Sequence, residues 1–132
     1  VLKVIYDFLG QRGADWHLKM VDNLLLDGKK KEARALWKKM RESFPDEFQT
    51  LLAEGLLLTS EEDYQAAIQT INHSSNIEPE AFRPFLEKSR VWLASGKKEN
   101  AIAILKVAEG KVKTLKDLKQ VKNIKQIMET TH

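Results

Sequence analysis

The sequence predicts an all-α fold, a right-handed solenoid of antiparallel helix pairs with a C-terminal capping helix. Three observations predict it: a pattern with a 34-residue period, apolar residues spaced by three and four within each unit, and glycine or proline where segments end. The 132-residue chain is 42% apolar and 31% charged, a composition that supports one packed domain.

The repeat is clearest in two stretches, GKKKEARALWKKM at 28–40 and GKKENAIAILKVA at 96–108, and a weaker copy, EEDYQAAIQTINHS, lies between them at 61–74. Three series of residues share the 34-residue interval: Ala33, Ala67 and Ala101; Trp37, Ile71 and Leu105; and Leu24, Leu58 and Trp92. Small alanines are expected where two antiparallel helices cross closely, with the bulky residues filling the space one turn later. One helix pair cannot bury its own apolar face, so copies of the pair are expected to stack.

Each unit is expected to contain two helices joined by a tight turn. First helices are predicted at about 15–26, 48–58 and 81–94, and second helices at about 30–44, 64–74 and 99–111. Gly28 and Gly96 stand where a helix C-terminus needs a left-handed residue, and Pro45 and Pro79 stand where a second helix must end. The units are therefore assigned to residues 14–47, 48–81 and 82–113.

The N-terminal segment, residues 1–13, carries Leu2, Ile5 and Leu9 on one face, as expected of a helix that ends a preceding repeat. The chain starts at Val1 without Met, which is compatible with a fragment of a longer protein.

The C-terminal segment, residues 114–132, is predicted to form the capping helix. Thr114 is the expected N-cap, with Asp117 three residues later in the manner of a capping box. Leu115, Leu118 and Val121 are expected to cover the open end of the stack.

Composition and charge restrict the function. The absence of cysteine rules out disulfides and cysteine-based zinc or redox sites. No apolar run is long enough to span a bilayer and the start lacks the features of a signal peptide, so a cytoplasmic location is favoured for the part of the protein that this sequence covers.

The net charge of +3 conceals three blocks of different sign. Residues 29–41 carry seven Lys or Arg against one Glu, residues 42–82 carry no Lys or Arg, and lysine predominates from Gly96 onward. Such blocks favour partners of mixed sign, or other copies of the chain, over a uniformly anionic polymer. A basic surface that contacts nucleic acid or an anionic membrane is therefore kept only as a second alternative.

The sequence offers little catalytic chemistry. His17, His73 and His132 are not at metal-ligand spacing with one another, and the GKK segments at 28 and 96 lack the other residues of a phosphate-binding loop. We therefore predict no enzyme activity, no cofactor and no metal.

At the repeated positions the chain resembles the tetratricopeptide repeat (TPR) family, over about residues 14–115. The matching residues are Leu24, Gly28, Ala33, Trp37 and Pro45 in the first unit, Gly55, Leu58, Tyr64, Ala67 and Pro79 in the second, and Trp92, Gly96, Ala101 and Ala108 in the third. The chain departs from the family pattern at His17, where an early Trp is usual and a core role is expected. It departs again at Glu54 and Lys88, where an apolar residue is typical, and no proline closes the third unit.

The resemblance implies a protein-interaction module, an adaptor or scaffold, that holds a peptide or helix with apolar anchors in a concave groove lined by the first helices. The positions that it assigns to peptide binding are Leu18, Asp22, Leu25, Leu52, Leu56, Arg83, Leu86, Arg90 and Leu93. The aspartates are expected at one end of the groove and the arginines at the other, which would fix the direction of the peptide. The other interpretation of these leucines is burial in the core.

The resemblance also disfavours one kind of partner. Family members that hold the acidic C-terminus of a chaperone use a clamp of Lys, Asn and further cations. The corresponding positions here are Leu18, Asp22, Ala53, Arg83 and Glu87, of which only Arg83 fits. The alternative to an adaptor is a structural or self-assembling segment of a longer helical array.

Overall fold

The computed structural model describes residues 13–130, and within this range the chain forms seven α-helices and no strand. The helices are α1 (Ala14–Leu26), α2 (Lys30–Ser43), α3 (Phe48–Ser60), α4 (Tyr64–Ile77), α5 (Phe82–Ala94), α6 (Lys98–Glu109) and α7 (Leu115–Thr130). The predicted all-α solenoid is confirmed. The helix predicted in residues 1–13 lies, except for Gly13, outside the described residues, as does His132.

The helices pack in pairs that follow the order of the chain, α1 with α2, α3 with α4 and α5 with α6. Neighbouring pairs meet through α1 and α3 and through α4 and α5. One core cluster joins α1 to α4 and includes Val91 of α5, and a second joins α5, α6 and α7. The stack is therefore held together by apolar contacts between successive pairs as well as within them.

The repeated residues form this core. The small positions are completely buried: Ala33, Ala67 and Ala101. The bulky positions four residues later are buried as well: Trp37, Ile71 and Leu105. The tightest crossing lies in the second unit, because a Cβ added to Gly55 would stand 2.5 Å from Cγ1 of Ile71 and 3.7 Å from the carbonyl oxygen of Ala67. Only small residues fit where α3 and α4 approach this closely.

The three turns within the pairs share one hydrogen-bond pattern. The N–H groups of Gly28 and Lys29 donate to carbonyl oxygens in the last turn of α1 at 3.1 and 2.8 Å, and the same two bonds recur after α3 and α5. The residue in the left-handed region has φ +74° at Gly28, +62° at Glu62 and +82° at Gly96. These are Schellman turns, as predicted for the two glycines, and the second unit makes the same turn with a glutamate.

His17 is a core residue, as expected. It is 8% exposed, and its Nδ1–H donates to the carbonyl oxygen of Gly13 at 3.2 Å. Its ring meets Trp16 and Phe44 edge-on, with ring centroids at 5.0 and 5.3 Å. The imidazole thus packs as an aromatic ring while one of its nitrogens is hydrogen-bonded.

The C-terminal helix α7 packs on α5 and α6 with a face that differs from the expected one. Val121, Ile124 and Met128 are buried in the second core cluster, whereas Leu115 is 85% exposed and Leu118 is 41% exposed. The expectation for Leu115 and Leu118 is wrong because apolar residues that recur every three positions drift around a helix. Only one stripe of such a helix can face the stack.

The start of α7 carries the predicted N-cap. Oγ1 of Thr114 accepts a hydrogen bond from the N–H of Asp117 at 3.1 Å, and Oδ2 of Asp117 accepts one from the N–H of Lys113 at 3.0 Å. Together the two side chains pair backbone N–H groups at the start of α7. Asp117 bonds to the residue before the cap rather than to the cap itself.

The position of α7 continues the register of the first helices. The starts of α1, α3 and α5, at Ala14, Phe48 and Phe82, follow the 34-residue period, and α7 starts at Leu115, one position earlier than this period would place it. It therefore takes the place of the first helix of a further unit. Where the earlier first helices place Leu24, Leu58 and Trp92 against the core, α7 has the exposed Gln126. The exposed surface of α7 is thus mixed, because Gln126 and several lysines lie beside the exposed Leu115, Leu118 and Ile127.

Candidate peptide-binding groove

A groove of about 470 Å³ lies where the first turns of α1, α5 and α7 converge. Leu18, Phe48 and Phe82 supply its apolar lining, and its charged lining includes Lys19 and Lys116. No residue of α7 is among the binding positions predicted from the sequence. The signal that could have found it is the near-34-residue step from α5 to α7, which places α7 beside the other first helices.

Four charged side chains form a network on α1 and α5. Nη2 of Arg83 donates to Oδ2 of Asp22 at 2.6 Å, and Nε of Arg83 donates to Oε1 of Glu87 at 2.8 Å. Nη1 of Arg90 donates to the same oxygen of Glu87 at 2.6 Å. Burial alone would lower the pKa of Arg83, but the charges of Glu87 and Asp22 and their hydrogen bonds raise it above its usual value, so this guanidinium stays charged.

The network corrects the expected distribution of charge. The expectation that Asp22 and Arg83 mark opposite ends of the groove is wrong, because the two side chains form an ion pair. A fixed peptide direction is therefore no longer expected. Glu87, which was not among the predicted binding residues, follows Arg83 by four residues and precedes Arg90 by three, and this helical spacing is the signal that could have identified it.

A second polar contact joins α1 and α3. Nε2 of Gln49 donates to Oδ1 of Asp15 at 2.8 Å, and Gln49 is 9% exposed. Asp15 itself lies at the edge of the groove. The polar end of the surface is therefore built by side chains that are already hydrogen-bonded to one another.

The predicted binding residues fall into layers that the 34-residue register defines. The layer nearest the helix starts is buried, at no more than 5% exposure: Leu18, Leu52 and Leu86. The next layer is partly exposed: Asp22, Leu56 and Arg90. The last is also partly exposed: Leu25, Thr59 and Leu93. A partner can therefore touch the leucines of the second and third layers, whereas those of the first belong to the core.

Two apolar crevices lie on another side of the stack, one repeat apart. Ile68 lines a cavity of about 380 Å³ beside Trp92, and Ile102, at the equivalent position of the third unit, lines one of about 330 Å³. The equivalent residue of the first unit is Arg34, which forms an ion pair with Glu61. A polar contact of the first unit is thus replaced by apolar crevices in the second and third.

The titratable groups outside this network provide no metal site in the described part of the chain. Among residues 13–130, no three His, Cys, Asp or Glu side chains are placed to hold a metal ion. Lys88 is partly buried, and burial lowers the pKa of its ammonium group. No helix in the described range is both long and apolar enough to cross a membrane.

Known proteins resemble the chain in fold rather than in sequence. No protein-family model matches it, and no curated protein is significantly similar. The TPR2B domain of yeast Sti1, in a complex with pHsp70, is 15% identical with a TM-score of 0.70, over 89% of this chain and 94% of that one. The Yersinia enterocolitica type III secretion chaperone SycD, in complex with a peptide of the translocator YopD, is 15% identical with a TM-score of 0.66, over 86% and 87%.

A third structure, a type III secretion complex from Aeromonas hydrophila, has a chain that is 15% identical with a TM-score of 0.68, over 98% of this chain and 95% of that one. At such low identity these likenesses establish the fold alone. The chain is a helical-repeat protein with a TPR-like fold, as its sequence resemblance implies.

Proposed function

We propose that this chain is a non-enzymatic adaptor that binds a peptide or helix through apolar anchors on the face formed by α1, α3 and α5. The observation that carries the proposal is a set of partly exposed leucines on three successive first helices: Leu25, Leu56 and Leu93. Each packs against one of the two core clusters, so the contact area is held in place before a partner arrives. Pre-organisation of this kind lowers the entropic cost of binding.

The other predicted residues have supporting roles in this proposal. Leu18, Leu52 and Leu86 form the buried layer beside the exposed leucines and hold them in position. The network of Asp22, Arg83 and Arg90 forms the polar border of the apolar surface, together with Glu87. Leu26, which is 85% exposed at the end of α1, extends the apolar surface on its other side.

The comparisons support this class of function. The SycD chain of similar fold is in complex with a peptide of YopD, and the TPR2B domain of Sti1 is in complex with pHsp70. Surfaces of this fold can therefore hold protein segments. The affinity expected here is on the order of micromolar, because ordering a flexible segment opposes the burial of its apolar side chains.

A structural segment of a longer array has less support. A further unit stacked on α7 would need an apolar outer side on that helix, where the exposed Leu115 is accompanied by Lys119, Lys122 and Gln126. The second alternative, contact with nucleic acid or an anionic membrane, would use the C-terminal lysines, of which Lys116 lines the groove and Lys125 lines one crevice. Asp15 and Asp117 line the same groove and Glu109 pairs with Lys125, so this surface has charges of both signs and suits a uniformly anionic partner less well.

The test begins with a partner segment selected on the native chain from a peptide library and confirmed by titration. The double variant Leu56→Ser and Leu93→Ser removes two of the proposed anchors. The control variant, Ile77→Ser and Val107→Ser, makes the same chemical change at two exposed positions on the second helices. Circular dichroism and thermal melting establish that both variants remain folded.

We expect the variant with serine at Leu56 and Leu93 to bind the selected segment at least about tenfold more weakly, since each lost leucine removes roughly 1 kcal/mol or more of apolar contact. The control variant should bind like the native chain. Full affinity in the folded double variant of Leu56 and Leu93, or an equal loss in the control, would move the site away from the face of α1, α3 and α5.

A further inference from the structure

Two arginines face the proposed binding surface, and one carboxylate is hydrogen-bonded to both. Oε1 of Glu87 accepts hydrogen bonds from Nε of Arg83 at 2.8 Å and from Nη1 of Arg90 at 2.6 Å. The three residues share one side of α5, at spacings of four and three. The Glu87 side chain is only 5% exposed, whereas those of Arg83 and Arg90 are 26% and 40% exposed. The acid therefore lies beneath the two cations.

A second carboxylate, that of Asp22, completes the balance of charge. Arg83 also donates to Asp22 on α1 at 2.6 Å, so the cluster holds two positive and two negative groups. An acidic segment that approached the arginines would have to compete with carboxylates already hydrogen-bonded to them. Glu87 is buried, and its hydrogen bonds to the arginines compensate for its lost hydration. Separating it from them would leave a desolvated carboxylate without a partner, which is unfavourable.

We infer that Glu87 is a specificity-determining residue, which prevents a surface with two arginines from binding acidic protein segments. The inference rests on the proposed function for where a partner binds. The effect of Glu87 on the two arginines does not depend on the leucines of that face. Apolar partners are left free to use the leucine layer, since no acidic group is needed to meet Arg83 or Arg90. The chain thus selects against acidic segments by internal neutralisation rather than by a lack of cations.

A purely structural ion-pair cluster would behave differently when Glu87 is changed. In that case the arginines would stay inaccessible to a peptide, and only the stability of the fold would fall. If Glu87 neutralises a binding surface, its loss leaves two accessible cations and creates affinity for anions. The gain of anion binding is therefore the readout that separates the two roles.

The probe is a fluorescently labelled oligoglutamate peptide, titrated at low salt and followed by anisotropy. The test variant is Glu87→Gln, which keeps the size of the side chain and removes its charge. The matched control is Glu109→Gln, which removes the carboxylate partner of Lys125 in an exposed ion pair between α6 and α7. A double variant, Glu87→Gln with Arg83→Gln, tests whether the gain depends on the released guanidinium.

We expect Glu87→Gln to bind the oligoglutamate about tenfold or more tightly than the native chain, while Glu109→Gln binds like the native chain. The gain should be smaller in the double variant, which keeps only Arg90 of the two guanidinium groups that Glu87 pairs, and it should decline as salt is added. If Glu87→Gln does not fold, Glu87→Met serves instead, because it also removes the carboxylate and has a side chain of similar length.

Equal weak binding by the native chain and the folded Glu87→Gln protein, or the folded Glu87→Met protein in its place, would overturn the inference. An undiminished gain in the double variant would do so as well. These outcomes are distinct from failure of the proposed function, because the oligoglutamate assay leaves the leucine layer intact. Loss of the leucine site would instead be seen with the selected apolar segment.

Discussion

Arg83 on α5 and Asp22 on α1 are joined by a 2.6 Å hydrogen-bonded ion pair, although α1 and α5 do not pack against each other. Both helices pack against α3. The ion pair is therefore a direct link between the first and third helix pairs. Its side chains are 26% and 28% exposed, so it is partly shielded from water.

Removal of this link should destabilise the stack modestly. We expect Asp22→Asn to lower the free energy of unfolding by about 0.5–1.5 kcal/mol, because it replaces the ion pair by a hydrogen bond to an uncharged amide and leaves Arg83 less well paired. Denaturant titration at low and high salt measures the effect, which should shrink as salt rises. Equal stability of the two proteins at low salt would show that the link contributes nothing.

The turn after α3 contains a residue that does not suit its backbone. Glu62 has φ +62°, at the position where the first and third units have Gly28 and Gly96. A side chain in the left-handed region is strained by its Cβ. We expect Glu62→Gly to raise the free energy of unfolding by about 0.5–1 kcal/mol, after the larger entropy of glycine in the unfolded chain is subtracted.

The control for this prediction is the reverse change at the equivalent position. Gly96→Ala should lower stability by a similar amount, and no heavy atom within 4 Å would obstruct the new Cβ, so the effect reports the backbone alone. Thermal melting of both variants measures the two changes in stability. A lower melting temperature for Glu62→Gly would contradict the assignment of strain to this turn.

The crossing of α3 and α4 should not accept a larger residue. Ala67 is completely buried and its carbonyl oxygen lies close to Gly55. Ala67→Leu would overpack the contact and is expected to cost about 1–3 kcal/mol. The control is Ala103→Leu on α6, at an exposed position where the cost should stay within about 0.5 kcal/mol. Chemical denaturation distinguishes the two, and similar melting of both variants would be inconsistent with a close crossing.

The half-buried Lys88 should make stability depend on pH. Burial lowers its pKa from the ordinary 10.5, so between its folded pKa and 10.5 the unfolded chain holds more protons and the native protein gains stability as pH rises. We expect Lys88→Met to melt at a higher temperature than the native chain at pH 7, with an advantage that shrinks toward pH 10. The equivalent change on the exposed side of α7, Lys122→Met, should show neither effect. An advantage that is constant with pH would exclude the titration of Lys88 as its cause.

The sequence predicts the core of this protein well because the same positions are buried in every unit. Ala33, Ala67 and Ala101 are all at 0% exposure. A small residue that recurs three times at the same interval can be recognised in the sequence even though the residues around it differ between units. The end of α4 is less predictable. This helix continues to Ile77, three residues beyond the predicted end, and the hydroxyl of Ser74 donates to the carbonyl oxygen of Phe48 on α3. That contact depends on tertiary packing.

The candidate site is predicted only in outline. Repeat register places Leu56 and Leu93 on the first helices, but it does not tell which layer of leucines the neighbouring helices cover. The pairing of Asp22 with Arg83 is harder still to predict from the sequence. The two residues are 61 positions apart, and the distance between them depends on how the stack of helix pairs curves. The contacts of Glu87 can be predicted from its helical spacing to the arginines.

The capping role of α7 gives the last prediction. Cutting the chain after Val112 removes Val121, Ile124 and Met128 from the second core cluster and exposes the apolar side of α5 and α6 that they cover. The truncated protein should melt at a lower temperature and associate, since repeat stacks with bare apolar ends aggregate.

A matched pair of single substitutions tests the same role within the full chain. Ile124→Asp places a charge at a position that is 1% exposed, and should cost about 3 kcal/mol or more, because the buried carboxylate has no partner. Leu115→Asp makes a similar change nine residues earlier on the same helix, at 85% exposure, and should alter stability by no more than about 0.5 kcal/mol. Sedimentation and thermal melting measure both. If the two variants behave alike, and the chain cut after Val112 melts and sediments like the intact protein, then α7 is an appendage and the face of Val121, Ile124 and Met128 does not close the stack.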